Sequence, residues 1–436
     1  MPLRNGATIL ALLLCFLPAC KHWLGNPYAR AESSRTVPAA GDALRLEPPN
    51  WWVGMSRRRV EVLVCRPGIR DFDVWLGEAE GIELEKSEPG PGADSVYLVL
   101  SIAPDAPPQR LPLLFSRPGS DFQFTAEFPL YRRNTAPKAG GLDTRQVLFR
   151  PAETAEHSVS GLNTLQDMGI TAVWLPADPP AHPYSANRQW PAPDLFRDWV
   201  RQCHDRDIRV VRDLIPRNMA VDPCGPGAGE RAYNAIVQQG LWWVEYAGLD
   251  GFQMDSCAGG QAPWRRLLLR ELRDEFPALF QGVIDANPFN NIALPGWEAT
   301  GNWVTAVAAG PEIKTAALLG SPGLPLISPD NDTLSAGGFA RALIRYRNAT
   351  PALQNGQTQF FPPEDGLFAW FRFDADKSVM IIVNTGEKAR RPAIDRFKAR
   401  LAGFTRLKDV VTGEIFSAWS SFGIAGNKAR ILELMK

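Results

Sequence analysis

Asp213, Asp255 and Asp285 are carboxyl side chains of a type that can do acid–base or nucleophilic chemistry. Each follows a short run that reads as a strand: Ile208 to Val211, Gly251 to Met254 and Phe280 to Ile284. Runs of this length and composition predict strands, so the three carboxyl groups stand at or just past strand ends. Paired carboxyl groups can divide the roles of nucleophile and general acid between them. No other catalytic constellation competes. The sequence has no G-x-S-x-G, no H-E-x-x-H, no P-loop and no dinucleotide fingerprint, and Ala258-Gly259-Gly260 is only a loop. No C-x-x-C pair suggests a structural zinc, and no metal or cofactor is expected.

Three kinds of element must position these residues. Leu44 to Tyr131 holds short β-runs broken by turns. Val60 to Val64 and Val96 to Leu100 are two strands, and Phe122, Phe124 and Phe128 mark one face of a third. This segment predicts a β-sandwich of roughly immunoglobulin size. From about Gln146 strands alternate with helices. Thr171 to Leu175 is a strand, Leu195 to His204 an amphipathic helix, Ala235 to Tyr246, Leu267 to Glu275 and Gly337 to Asn348 further helices. That alternation implies parallel strands in an α/β fold. After Pro351 the pattern returns to β, with Phe368 to Phe373 and Val379 to Val383 flanking a turn at Asp374-Ala375-Asp376. Leu407 to Val411 and Ala429 to Leu434 complete a second, smaller β-sandwich. The expected division is 1–20, 21–43, 44–131, 132–350 and 351–436.

Composition adds few constraints. Lys+Arg and Asp+Glu both total 47, so the net charge is zero and nothing points to nucleic acid. The chain carries 14 Trp. Indole faces stack on sugar rings, but core packing accounts for most tryptophans. At the N-terminus Arg4 precedes an apolar run, Ala7 to Leu17, too short to span a bilayer. Leu17-Pro18-Ala19-Cys20 looks like a bacterial lipobox, with Cys20 the lipidated residue and 21–43 a tether. Ala29-Arg30-Ala31 is the rival cleavage site, further from the apolar run. Either reading exports the protein; the preferred one anchors it to the cell envelope through Cys20. Cys203 and Cys224 are the nearest remaining cysteines in sequence, and an oxidising compartment leaves a disulfide and free thiols equally open.

Several segments resemble the neopullulanase and cyclomaltodextrinase branch of the alpha-amylase superfamily. Glu47-Pro48-Pro49-Asn50-Trp51-Trp52-Val53-Gly54-Met55 is similar to the opening of that branch's N-terminal domain. Gly169 to Pro176 resembles its second barrel strand. Trp242 to Phe252 resembles the helix and strand that carry its nucleophile, and Gly323 to Ile327 its last barrel strand. Arg347 to Leu353 and Asp409 to Glu414 resemble the helix after the barrel and the C-terminal domain. The matches are ordered and span nearly all of the chain after the tether. The resemblance implies a (β/α)8 barrel between two β-sandwiches. Such a barrel takes about 250 residues, so the stretch from Gln146 to Asn348 implies a truncated one.

The resemblance also implies roles. Asp255 falls at the nucleophile position, and Asp213, Asn218 and Gln253 at positions that bind substrate. Retaining glycosidases pair a nucleophile with a general acid, and several of the expected groups are replaced. Gln253 stands where the branch has an arginine, Met219 where it has a histidine, and Val283 where it has the acid glutamate. Gly301-Asn302-Trp303 lacks the third carboxylate, and Asp332 lies beyond the last strand. His182 reads as a loop histidine. Asp285 is a possible displaced acid, about 6.6–7 Å along the strand from Val283, and Glu298 is another candidate. The reading is therefore an exported protein of α-glucan metabolism that binds α-glucans or maltodextrins, with glycosidase activity weak or lost. Two alternatives stand beside it: a working α-glucosidic hydrolase with a rearranged acid, and a membrane-anchored interaction protein.

Overall fold

The computed structural model describes residues 44–133, 142, 145–151, 159–175, 184, 192–214, 230–254, 270–272, 274–277, 284–285, 311–327 and 337–436. Cys20 and the 21–43 tether lie outside the described residues. All elements below belong to one compact unit, Leu44–Lys436.

The N-terminal part is a two-sheet sandwich. Its strands are β1 (Arg45–Glu47), β2 (Trp51–Val53), β3 (Arg59–Cys65), β4 (Asp73–Leu76), β5 (Ile82–Pro89), β6 (Ser95–Ile102), β7 (Gln109–Ser116) and β8 (Gln123–Arg132). One sheet runs β1-β3-β6-β5 and the other β2-β8-β7-β4. Period-2 patterning builds it: Val60, Val62 and Val64 are fully buried, as are Leu111, Leu113 and Phe115, while Leu114 between them is 39% exposed. Fully burying one such aliphatic or aromatic side chain contributes roughly 1.5–3 kcal/mol. Phe128 is buried as its parity predicts, but Phe122 precedes β8 and is half exposed, at the end of the sheet.

The central strands are β9 (Leu148–Phe149), β10 (Ala172–Leu175), β11 (Arg209–Asp213), β12 (Gly251–Met254), β13 (Ile284–Asp285) and β14 (Leu326–Ile327). They lie in the order β13-β12-β11-β10-β9-β14, and every pairing is parallel. The first and last of them in the chain are thus neighbours, as at the seam of a barrel. The described strands form a six-stranded parallel sheet, and any closure between β13 and β14 lies outside the described residues. Helices α1 (Val159–Met168), α2 (Pro193–His204), α3 (Glu230–Ala247), α4 (Pro311–Gly320), α5 (Gly338–Asn348) and α6 (Pro351–Gln354) accompany it. The sheet has two distinct faces. Val173, Leu175, Val210 and Phe252 pack with α2 and α3 in one cluster, whereas Leu148, Ala172, Trp174, Val211 and Leu326 form another with Leu142.

The last six strands are β15 (Gln357–Glu364), β16 (Leu367–Phe373), β17 (Ser378–Asn384), β18 (Arg406–Asp409), β19 (Ile415–Ser417) and β20 (Lys428–Met435). They hydrogen-bond as one antiparallel sheet, β15-β16-β17-β20-β18-β19, which corrects the expected second sandwich of two sheets. The physical reason is what covers its faces. Trp370, Ile381 and Ile431 pack against Ile313, Ala316 and Leu343 of α4 and α5. The opposite face is covered by Ile394, Phe397 and Leu401 from the chain's own β17–β18 connection. The parallel domain and this connection take the place of a second sheet.

The sandwich is fastened to α3. Asn234, Gln238, Trp242 and Glu245 follow helical spacing on one face. Gln238 pairs with the Glu61 backbone as a strand neighbour does: its Oε1 accepts from Glu61 N at 2.8 Å and its Nε2 donates to Glu61 O at 2.9 Å. Asn234 Nδ2 donates to Glu61 Oε1 at 2.9 Å, and Arg57 binds Glu271 at 2.7 Å. Beneath these bonds Trp242 lies 6.3 Å from Trp52, 4.8 Å from Trp243 and 4.3 Å from Tyr246, ring centroid to ring centroid.

Candidate functional site

Parallel sheets of this kind place their sites at the carboxyl ends of the strands, where the loops begin. Asp213 is the last residue of β11, half-buried, on the face that carries Trp174 and Val211. The Trp174 indole Nε1–H donates to Asp213 Oδ1 at 2.5 Å. Over the Trp174 ring sits the guanidinium of Arg150, 4.5 Å from the ring centroid. Arg150 follows β9, and its backbone N–H donates to Ile327 O of β14 at 2.8 Å. Arg150, Trp174 and Asp213 therefore line up across three adjacent strands at one end of the sheet.

The neighbouring Arg212 points the other way. It is buried, with its guanidinium carbon 4.6 Å over Trp243 and 5.6 Å over Phe196. Burial pushes its pKa down to about 10, and the charge of Asp213 acts against that shift. A guanidinium remains protonated at neutral pH even so. Its role here is to hold β11 against α2 and α3, through the aromatic faces.

Strand register locates the other expected positions. Gln253 is the Cα partner of Asp213, and also of Ile284. Asp213 and Gln253, both expected to bind substrate, are thus brought together on adjacent strands. Asp285 is the partner of Met254, one step away. Residues of opposite parity on a strand serve opposite faces, so Asp285 occupies the parity of Met254 and Phe252, not that of Gln253 and Asp213. Asp255, Asn218, Val283, Met219, Glu298, His182, Asp332 and Gly301 to Trp303 lie outside the described residues.

Trp174 and Arg150 are functional-site residues that the sequence reading passed over. Trp174 reads as one apolar residue in a strand, and nothing local shows that its N–H reaches a carboxylate 39 residues later. Seven of the nine described tryptophans are buried, Trp174 among them; only Trp75 and Trp419 are half exposed. A cleft of about 310 Å³ lies elsewhere, at the seam of the sandwich, lined by Trp52, Ser56, Arg57, Arg58, Arg133 and Glu275 among others. Its carboxylate is already engaged: Glu275 accepts from Ser56 N at 2.7 Å and pairs with Arg133. Cys203 is a buried free thiol whose pKa burial raises, rather than half of a disulfide. Cys224 lies outside the described residues. Among the described residues no cluster of three His, Cys, Asp or Glu could hold a metal, and no helix is long and apolar enough to cross a membrane.

The flanking domains decide the relationship. Residues 45–134 match the family model for the cyclomaltodextrinase N-terminal domain, and residues 358–433 that for the cyclo-malto-dextrinase C-terminal domain. The chain's flanking domains are cyclomaltodextrinase-like. Solved structures agree on the fold. The alpha-amylase of Geobacillus thermoleovorans, complexed with acarbose, superposes with a TM-score of 0.51 at 10% identity, over 67% of this chain and 99% of that one. The noncanonic maltogenic alpha-amylase AmyB of Thermotoga neapolitana gives 0.51 at 13% identity, over 68% and 100%. AmyP in complex with maltotriose gives 0.52 at 10% identity, over 67% and 97%. At such identities the likeness is one of fold. The cyclomaltodextrinase-like domains lie on either side of the parallel sheet in the sequence, and Asp213 and Gln253 stand on that sheet.

Proposed function

We propose that this chain is an α-glucan-binding protein of alpha-amylase type whose glycosidase activity is weak or lost. The observation that carries the reading is the register pair of Asp213 and Gln253 at the strand ends. In the sequence a neutral amide, Gln253, stands two residues before Asp255, where the resemblance implies an arginine. An arginine there would hold a nearby carboxylate ionised; an amide can donate a hydrogen bond but adds no charge. Relatives in fold were solved with acarbose and with maltotriose bound, which supports a glucan as the ligand class. Losing a general acid costs on the order of 10²–10⁴-fold in rate, and Val283 cannot give a proton.

Incubating the full chain with maltodextrins, pullulan and cyclodextrins tests this, read for binding by calorimetry and for hydrolysis by reducing ends. Binding with little or no turnover is expected. Robust turnover abolished by Asp255→Asn would establish a working hydrolase instead, and Asp285→Asn and Glu298→Gln would then find its acid. In the inactive case Val283→Glu should restore a trace at most. Neither binding nor turnover would favour an interaction protein. Export and anchoring through Cys20 belong to the same proposal. Labelled fatty acid should enter the wild-type chain and not Cys20→Ser; label in the mutant rules the anchor out.

A further inference from the structure

The strand ends hold a cation and a carboxylate joined by an indole. The Arg150 guanidinium lies over the Trp174 ring at 4.5 Å, and the N–H of that ring donates to Asp213. Trp174 is only 3% exposed, so this contact is shielded from water, where electrostatic interactions are stronger. Two strand spacings separate β9 from β11, roughly 9–10 Å at 4.7–4.9 Å each. The indole bridges that span.

We propose that Arg150 is a positioning residue for Asp213, acting through Trp174. On this view it supplies from β9 the positive charge that Gln253 does not supply from β12. A cation over an aromatic face is attracted by the negative face of the ring quadrupole, and it draws electron density from the indole. The N–H becomes a stronger donor, and a donor to an ionised carboxylate makes one of the stronger hydrogen bonds. Asp213 is then held in one orientation at the end of β11. The geometry stands on its own; only the consequence for ligand rests on the glucan-binding reading above.

The experiment uses the full chain labelled with ¹⁵N-tryptophan. Trp174→Phe assigns the Trp174 indole resonance by removing it. Arg150→Gln is expected to move that resonance upfield and to weaken maltodextrin binding roughly threefold, the scale of one cation–π contact. Arg150→Lys should recover most of both effects, since an ammonium can also sit over the ring. Arg150→Met keeps the aliphatic cover without charge and should behave as Arg150→Gln does. The remaining indole resonances report that each variant is folded. A Trp174 resonance unmoved in Arg150→Gln and Arg150→Met overturns the proposal, as does a folded lysine variant that recovers nothing. If the resonance moves but the wild type binds no maltodextrin, the relay stands and the glucan-binding function falls.

Discussion

The seam between the sandwich and α3 and the carboxyl end of the parallel sheet are both places where charge meets aromatic rings, yet they are built to opposite specifications. The seam is dense. Glu61, Asn234, Gln238, Arg57 and Glu271 bond to one another over a layer of Trp52, Trp242, Trp243 and Tyr246. At the strand end an indole links a carboxylate to a cation, Trp174 standing between Asp213 and Arg150. A saturated network spends its hydrogen bonds on itself and rigidifies the fold. The strand end lies where the loops of a parallel sheet begin. The contrast teaches that the number of charged groups is a poor guide to function here; what distinguishes the two regions is place, one between a sandwich and a helix, the other at the strand ends where loops build sites.

Stability measurements on single substitutions can break or sharpen that contrast. The largest effect is expected from Trp242→Ala. The ring is fully buried and packs on Trp52, Trp243, Tyr184 and Tyr246. Truncating a buried aromatic of this size costs about 3–5 kcal/mol, and urea unfolding should read that loss. A loss under about 1 kcal/mol would mean that the seam is not a shared core. Next is Gln238→Leu, which keeps the volume but strips the paired bonds from Glu61 N and O. Leaving buried backbone groups unpaired costs about 1–3 kcal/mol, so the urea midpoint should fall clearly while the maltodextrin affinity of the folded protein stays at wild type.

Asp213→Asn should show the reverse. The amide keeps an acceptor for the Trp174 N–H and loses only the charge, so stability should fall by about 1 kcal/mol or less. Maltodextrin affinity should drop about tenfold, the scale of a hydrogen bond to a charged group. Calorimetry of ligand binding beside urea unfolding separates the two. If Asp213→Asn unfolds the protein as readily as Gln238→Leu does, the strand end is structural and the contrast dissolves.

The sequence carried the local elements and missed the partnerships. Alternation of Val60, Val62 and Val64 and helical spacing in α3 are properties of a few neighbouring residues, and both were legible. The bond from Gln238 to Glu61 joins residues 177 apart, and no local pattern says which strand a helix face will meet. The same limit hid the Trp174–Asp213 bond. In the C-terminal sheet alternation identified the strands, but not that β18 pairs with β20 as well as β19, so one sheet was read as two. The register of Asp285 was illegible for a finer reason. Strand positions reverse face with every residue, and an expected strand end uncertain by one residue cannot assign parity; only the pairing with Met254 does.

The smallest expected effect tests a charge that neither region uses. Glu47 ends β1, 7% exposed, with Arg45 Nε 2.7 Å from its carboxylate. Burial raises its pKa above the ordinary carboxylate value, and Arg45, itself 42% exposed, offsets this only in part. The sign of the linkage follows. At neutral pH Glu47 is ionised both folded and unfolded, and the folded state bears the desolvation cost. As pH falls toward the raised folded value, the native state takes up its proton before the unfolded state does, so this group's contribution to stability increases. That is opposite to a carboxylate whose pairing dominates. Glu47→Gln should therefore be slightly more stable than wild type at pH 7, with Arg45 left to water, and the gap should narrow toward pH 5. Urea midpoints of both proteins at pH 7, 6 and 5 decide it. A gap that widens toward pH 5 in favour of the glutamine variant means that the Arg45 pair outweighs burial, and that this edge of the sandwich is held by charge as the seam is.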